Sequence, residues 1–103
     1  MRMRRKRNLE ARVAACAPVL LARGKPCKNL KEAAENYRAL LDFERIFSRR
    51  APVELEVGCG NGGFIAELAK RACGCDFLAV EVCTNVVLTA MERIMEEGIP
   101  NVR

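Results

Sequence analysis

The chain has 103 residues, half of them apolar, which suits one small domain and excludes both a disordered composition and several domains within this length. Its formal charge of +5 is concentrated at one end: Arg2, Arg4, Arg5, Lys6 and Arg7 supply five cations in seven residues, while the other 13 Lys and Arg balance 13 Asp and Glu. The basic character is therefore an arm on a neutral body, suited to a phosphate backbone or an anionic membrane surface.

The apolar run behind the arm, Val13 to Ala22, is too short and too interrupted by Pro18 for a secretory signal, and Glu10 and Arg12 precede it. Nothing approaches the ~20 apolar residues of a membrane span, so a cytoplasmic protein is expected. Residues 1–28 read as a basic arm and an apolar, alanine-rich extension with little fixed structure beyond a short helix, broken around Gly24 and Pro26. Residues 29–50 read as a helical segment. Asn29 followed by Glu32 has the pattern of an N-cap with an acidic third residue, which starts a helix at Leu30. Its apolar face would comprise Leu30, Ala33, Ala34, Tyr37, Leu40 and Leu41; Asp42–Ser48 continues it or forms a separate turn, and Pro52 ends the region.

From residue 51 the pattern changes. Val53–Val57 reads as a strand and Gly58–Gly63 as a glycine-rich turn, followed by a helix with Phe64, Ile65, Leu68, Ala69 and Ala72 on one stripe. Phe77–Val80 reads as a second, buried strand that ends at Glu81. Thr84 is the expected cap of a further helix whose inner set is Val86, Val87, Ala90, Met91, Ile94 and Met95, with Gly98 at its C-terminal end. Ile99–Val102 heads into a third strand. The alternation of strand and helix opens a parallel, doubly wound α/β fold. Two or three strands leave apolar sheet and helix faces uncovered, so either a truncated domain or self-association or another chain is expected.

The six cysteines, at 16, 27, 59, 73, 75 and 83, have no histidine partner and no zinc spacing, so reduced thiols and no metal site are expected. Cys59 between two loop glycines reads as a packing residue, because no base accompanies it. Asn61 either caps the following helix or touches a ligand.

The segment Glu56-Val-Gly58-Cys-Gly60-Asn-Gly62-Gly63 carries the chemistry. Glycines at a strand-to-helix turn let backbone approach a ligand closely, and the helix behind them points free N–H groups at it. Gly58, Gly60 and Gly63 fit the dinucleotide spacing; Glu56, Gly58, Gly60 and Gly62 fit the methyltransferase spacing. Glu56 separates the two. A carboxylate there repels a pyrophosphate but attracts the cationic amino-acid end of S-adenosylmethionine. Glu81 sits where an acidic side chain accepts from both ribose hydroxyls, a feature that NAD enzymes share. Either Glu could instead be a solvated strand end.

Met1-Arg-Met-Arg-Arg-Lys6, Glu56 through Arg71, Glu81-Val-Cys-Thr-Asn-Val-Val87 and Glu96-Glu-Gly-Ile-Pro-Asn-Val-Arg103 together resemble the bacterial tRNA (guanine-N7)-methyltransferase family, specifically its amino-terminal half. Residues 14–50 match less clearly. The resemblance implies a Rossmann-like class I methyltransferase fold, truncated after its second strand-helix unit, with residues 51–103 as a partial cofactor-binding domain. It further implies S-adenosylmethionine as cofactor and methyl transfer to N7 of a guanine in tRNA. Glu56, Gly58, Gly60, Gly62 and Glu81 match the family's cofactor-binding positions, and Arg2, Arg4, Arg5, Lys6 and Arg7 are the candidate tRNA contacts. The family's Asp-Pro-Trp-Pro segment lies beyond residue 103, so no catalytic residue is assigned here and the polypeptide alone is expected to be inactive. The rivals are a non-catalytic cofactor- or RNA-binding remnant that needs a partner, and an NAD-binding module. Replacing the arm cations by glutamine in a full-length relative should weaken tRNA binding and flatten its salt dependence. The slope should drop by about 0.7–0.9 for each phosphate no longer neutralised, as filter binding across salt would show.

Overall fold

A computed structural model describes residues 3–38 and 42–103; Arg2, Leu40 and Leu41, singled out above, lie outside the described residues. In chain order the elements are α1 (Leu9–Ala15), α2 (Leu30–Tyr37), α3 (Phe43–Phe47), β1 (Val53–Val57), α4 (Gly63–Arg71), β2 (Asp76–Val80) and α5 (Thr84–Glu96). The two strands are parallel, with Val53 opposite Asp76 and Val57 opposite Val80. On its other edge β2 meets the segment after α5: Val102 bridges Phe77, and Ala79 N–H donates to Arg103 C=O at 2.9 Å. β2 is thus paired on both sides, as the expected third strand requires. The described architecture is α/β with a short parallel sheet and interspersed helices.

Local sequence explains most boundaries. Asn29 Oδ1 accepts the Glu32 N–H at 2.9 Å, and Glu32 returns a carboxylate to the Lys28 N–H at 2.7 Å, so α2 starts at Leu30 as its capping pattern requires. α5 ends in the paired bonds of a Schellman motif, Gly98 N–H to Met95 C=O and Ile99 N–H to Ile94 C=O. Its N-cap is Cys83 rather than Thr84, and no side chain caps it. α3 is a separate helix, capped by Asp42 Oδ1 on the Arg45 N–H at 3.2 Å.

Burial departs from the helical stripes read in the sequence. α2 buries none of its residues, and Leu30 is 89% exposed. In α4 the inner residues are Ile65, Ala66 and Ala69, while Phe64 faces out. In α5 Leu88 is fully buried and Met95 is exposed. For α5 the cause is that it packs on two sides, against α4 and against α1. α1 is a short helix of the kind expected in this extension, and with the turn behind it docks on the core. Leu9, Val13, Cys16 and Val19 join the same core as Ile65, Phe77 and Leu88. Arg12 clasps Glu92 of α5 through two bonds of 2.7 Å, a planar fork matched to a carboxylate.

Two buried polar groups complete the frame. Asn101 Nδ2 donates to the Ala69 and Cys75 carbonyls at 3.0 and 2.9 Å, tying the segment after α5 to the end of α4. Asp76, 1% exposed, receives Arg49 Nε at 2.9 Å. The sheet face of Leu55, Val57 and Val80 is open, as the uncovered faces expected from the sequence require. β2 is therefore buried only at its start.

Gly62 sets how closely α4 and α5 approach. It has φ 78°, and a Cβ there would stand 2.7 Å from Ala90 Cβ. Gly62→Ala should therefore lower the unfolding free energy by roughly 2–4 kcal/mol, the sum of overpacking and left-handed strain, and Ala90→Gly should recover the packing part; urea titration of the two variants checks this.

Candidate cofactor site and basic arm

The site begins with strand register. Parallel pairing of β1 and β2 brings their C-terminal ends, Val57 and Val80, side by side, so Glu56 and Glu81 flank one edge of the sheet. The glycine loop is hung from β2: the Val80 carbonyl accepts both Gly58 N–H at 2.7 Å and Cys59 N–H at 3.0 Å. Gly62 N–H then closes on Cys59 C=O at 3.1 Å and the chain enters α4. Gly58 and Gly60 both hold positive φ, and a Cβ on either would meet nothing within 4 Å. Open space thus lies along a bare backbone. Gly62, by contrast, is buried against Ala90, so its direct role is packing.

The two carboxylates are used differently. Glu81 is anchored: Oε2 accepts the Gly60 N–H at 3.0 Å and Oε1 the Cys83 N–H at 3.1 Å. These backbone donors, Cys83 first and Gly60 second, hold the carboxyl below its ordinary value. Glu56 is not satisfied. Its Oε2 is shielded from water and has no hydrogen-bond partner. A buried acceptor left unmade costs about 1–3 kcal/mol, more when charged, so this oxygen asks for a donor. Cys59 lies between them in influence: burial first, then the charges of Glu56 and Glu81, push its thiol up. It is a protonated packing residue, poorly suited to nucleophilic attack. Asn61 Oδ1 accepts the Gly63 N–H at 3.0 Å in an Asx-type turn just before α4, whose N-cap is Gly62.

The pair of acidic groups beside free backbone disfavours a diphosphate and suits a ligand with an ammonium and a hydroxylated sugar. The donor set therefore fits S-adenosylmethionine. A concavity of about 400 Å³ lies at the opposite end of β2, lined by Phe47, Arg49 and Asp76, away from the glycine loop. The Arg49–Asp76 pair there escaped the sequence reading, since nothing local marks Asp76 as buried.

The arm is seated on α5. Lys6 N–H donates to Asn85 Oδ1 at 2.7 Å, Asn85 Nδ2 donates to Arg4 C=O at 3.1 Å, and Lys6 Nζ bonds Thr89 Oγ1. Arg4, Arg5 and Arg7 are exposed, with Arg5 in a loose pair to Glu10 at 3.4 Å. None of the described helices is long and apolar enough to cross a membrane.

Comparison with known proteins decides the lineage. The model of a family described as putative methyltransferase matches residues 50–103, more than half of the chain. The chain belongs to this methyltransferase family. It is similar to the tRNA (guanine-N(7)-)-methyltransferase of Escherichia coli strain UTI89, 36% identical over an alignment of 89 residues, which covers 78% of this chain and 37% of the relative. The same figures hold for the enzyme of strain K12. The Geobacillus thermodenitrificans enzyme of that name is 33% identical over 61 residues, 59% of this chain and 28% of the relative. The chain thus spans little more than a third of the length of the Escherichia coli relatives, and the match covers the glycine loop, β2 and α5 in the family model. These matches support the resemblance read from the motifs.

Glu81 governs the order of the loop, and the sign of its pH dependence follows from its lowered pKa. The tether is present at neutral pH and is lost only as pH falls through the depressed value, below the ordinary 4.5. Amide exchange should show Gly60 and Cys83 protected down to that window in the parent, and less protected at every pH in Glu81→Gln.

Proposed function

We propose that the chain forms the S-adenosylmethionine-binding portion of a Rossmann-like class I methyltransferase that modifies N7 of a guanine in tRNA, in the cytoplasm. The observation that carries the reading is the unpartnered, water-shielded Glu56 oxygen beside the bare Gly58 and Gly60 backbone. The names of the similar enzymes support the reaction and its substrate.

When bound, the cofactor supplies an electrophilic methyl group on a sulfonium. This chain's residues do the holding. Glu56 accepts from the ligand's ammonium, Gly58 and Gly60 leave room for its backbone-like portion, and Gly62 keeps α4 close to α5. Glu81 retains a free lone pair on each oxygen after binding the two amides, enough for two ribose hydroxyls. Guanine N7 has a lone pair and no proton, so the transfer needs alignment and electrostatic support more than a base. No catalytic residue is assigned among these residues. Arg4, Arg5 and Arg7, with Arg2, engage tRNA phosphates, while Lys6 is held by Thr89. The uncovered sheet face of Leu55, Val57 and Val80 supports association with a second copy or with further protein surface.

Calorimetry with S-adenosylhomocysteine and NADH tests the site. The former should bind better than the latter, and Glu56→Gln should weaken it by roughly ten- to a hundredfold, the worth of a charge-assisted bond. Equal binding by the variant, or a preference for the dinucleotide, removes the reading.

A further inference from the structure

Asn85 stands in the first turn of α5, four residues beyond Glu81. A primary amide carries an acceptor and a donor side by side, and Asn85 uses both on the arm's backbone. It takes the N–H of Lys6 and gives to the C=O of Arg4, the two groups that bracket Arg5. Thr89, one turn further along the same helix, takes the Lys6 ammonium. The positive end of a helix dipole does not attract cations, so this seat rests on those bonds and on Glu92, whose carboxyl Lys6 helps to hold low after Arg12. Beyond the seat, Asn8 turns the chain at φ 53° into α1, which is fastened to α5 by Arg12 and Glu92. The arm is therefore held on one helix at two separated points.

We infer that Asn85 is a positioning residue for the RNA: it fixes the backbone so that Arg4, Arg5 and Arg7 present a preformed cationic row to tRNA phosphates, next to the Glu81 end of the cofactor site. The inference rests on the tRNA reading above. A free tail loses conformational entropy when it settles on RNA, whereas an anchored one has already lost it on folding. The short stretch from Glu81 to Asn85 also makes one structural unit of the ribose carboxylate and the arm's anchor.

Four forms of the 103-residue protein test this: the parent, Asn85→Ala, Thr89→Val, and the Arg4→Gln/Arg5→Gln/Arg7→Gln triple. Each is read by limited trypsin digestion and by binding of an unmodified tRNA transcript across salt, with circular dichroism as the check on the body. In N85A, trypsin should cut the arm faster while helix content holds, and tRNA affinity should fall roughly three- to tenfold, the worth of one or two hydrogen bonds. T89V should move both readouts in the same direction by less. The triple variant should weaken binding and flatten its salt dependence. If it does so while N85A and T89V bind tRNA like the parent, the arm contacts RNA but Asn85 does not position it, and the inference is overturned alone. If the triple variant also binds like the parent, the tRNA reading of the arm fails and the inference with it. Should N85A lose helix content, T89V carries the comparison, and parent-like proteolysis and binding in it overturn the anchor.

Discussion

One carbonyl organises the ligand edge of this protein. Val80 C=O receives two successive amides, Gly58 and Cys59, and in doing so folds the glycine loop back over the end of the neighbouring strand. That double acceptance is possible only because β1 and β2 run parallel and in register, so that one strand ends where the other turns. Glu81, the next residue of the same strand, adds a third bond to Gly60. Gly58 and Gly60 hold φ of 79° and 57°, a left-handed backbone that side chains rarely adopt, which explains why the turn is built from glycine.

The electrostatics of the edge follow from that geometry. A carboxylate whose oxygens are both bonded to amides is a fixed charge; a carboxylate with one orphaned oxygen still has room for a donor. Glu81 and Glu56 play these two parts at the ends of adjacent strands. Burial first, then their combined negative charge, raises the pKa of the Cys59 thiol, and the same charge would oppose a diphosphate at this edge. On the function proposed above, the strand ends would select the sign of the ligand and the missing side chains its shape.

α5 connects this edge to the rest of the chain. It packs on α4 through the contact of Ala90 with Gly62, on α1 through Glu92, and on the arm through Asn85 and Thr89. Because one helix serves three neighbours, its burial spreads around its circumference, and a single stripe cannot describe it. The same crowding gives the cationic residues a defined place.

Features that depend on neighbours along the chain were legible before any fold was known. The two strands, the glycine turn, the Asn29 cap and the closure at Gly98 all arise from residues within a few positions of one another, and the family resemblance lay in those same local runs. The site carboxylates could be named because each ends a strand. Only the folded chain settles what involves partners distant in sequence: the docking of α1, the outward turn of Phe64, the burial of Leu88, the clasp of Arg49 on Asp76, and the seat of the arm on Asn85. Periodicity shows that a helix has an apolar side but not how many neighbours it will meet, and a lone Asn or Asp carries no local mark of the backbone or charge it will find. Distance along the chain, more than chemistry, is what hid those pairings.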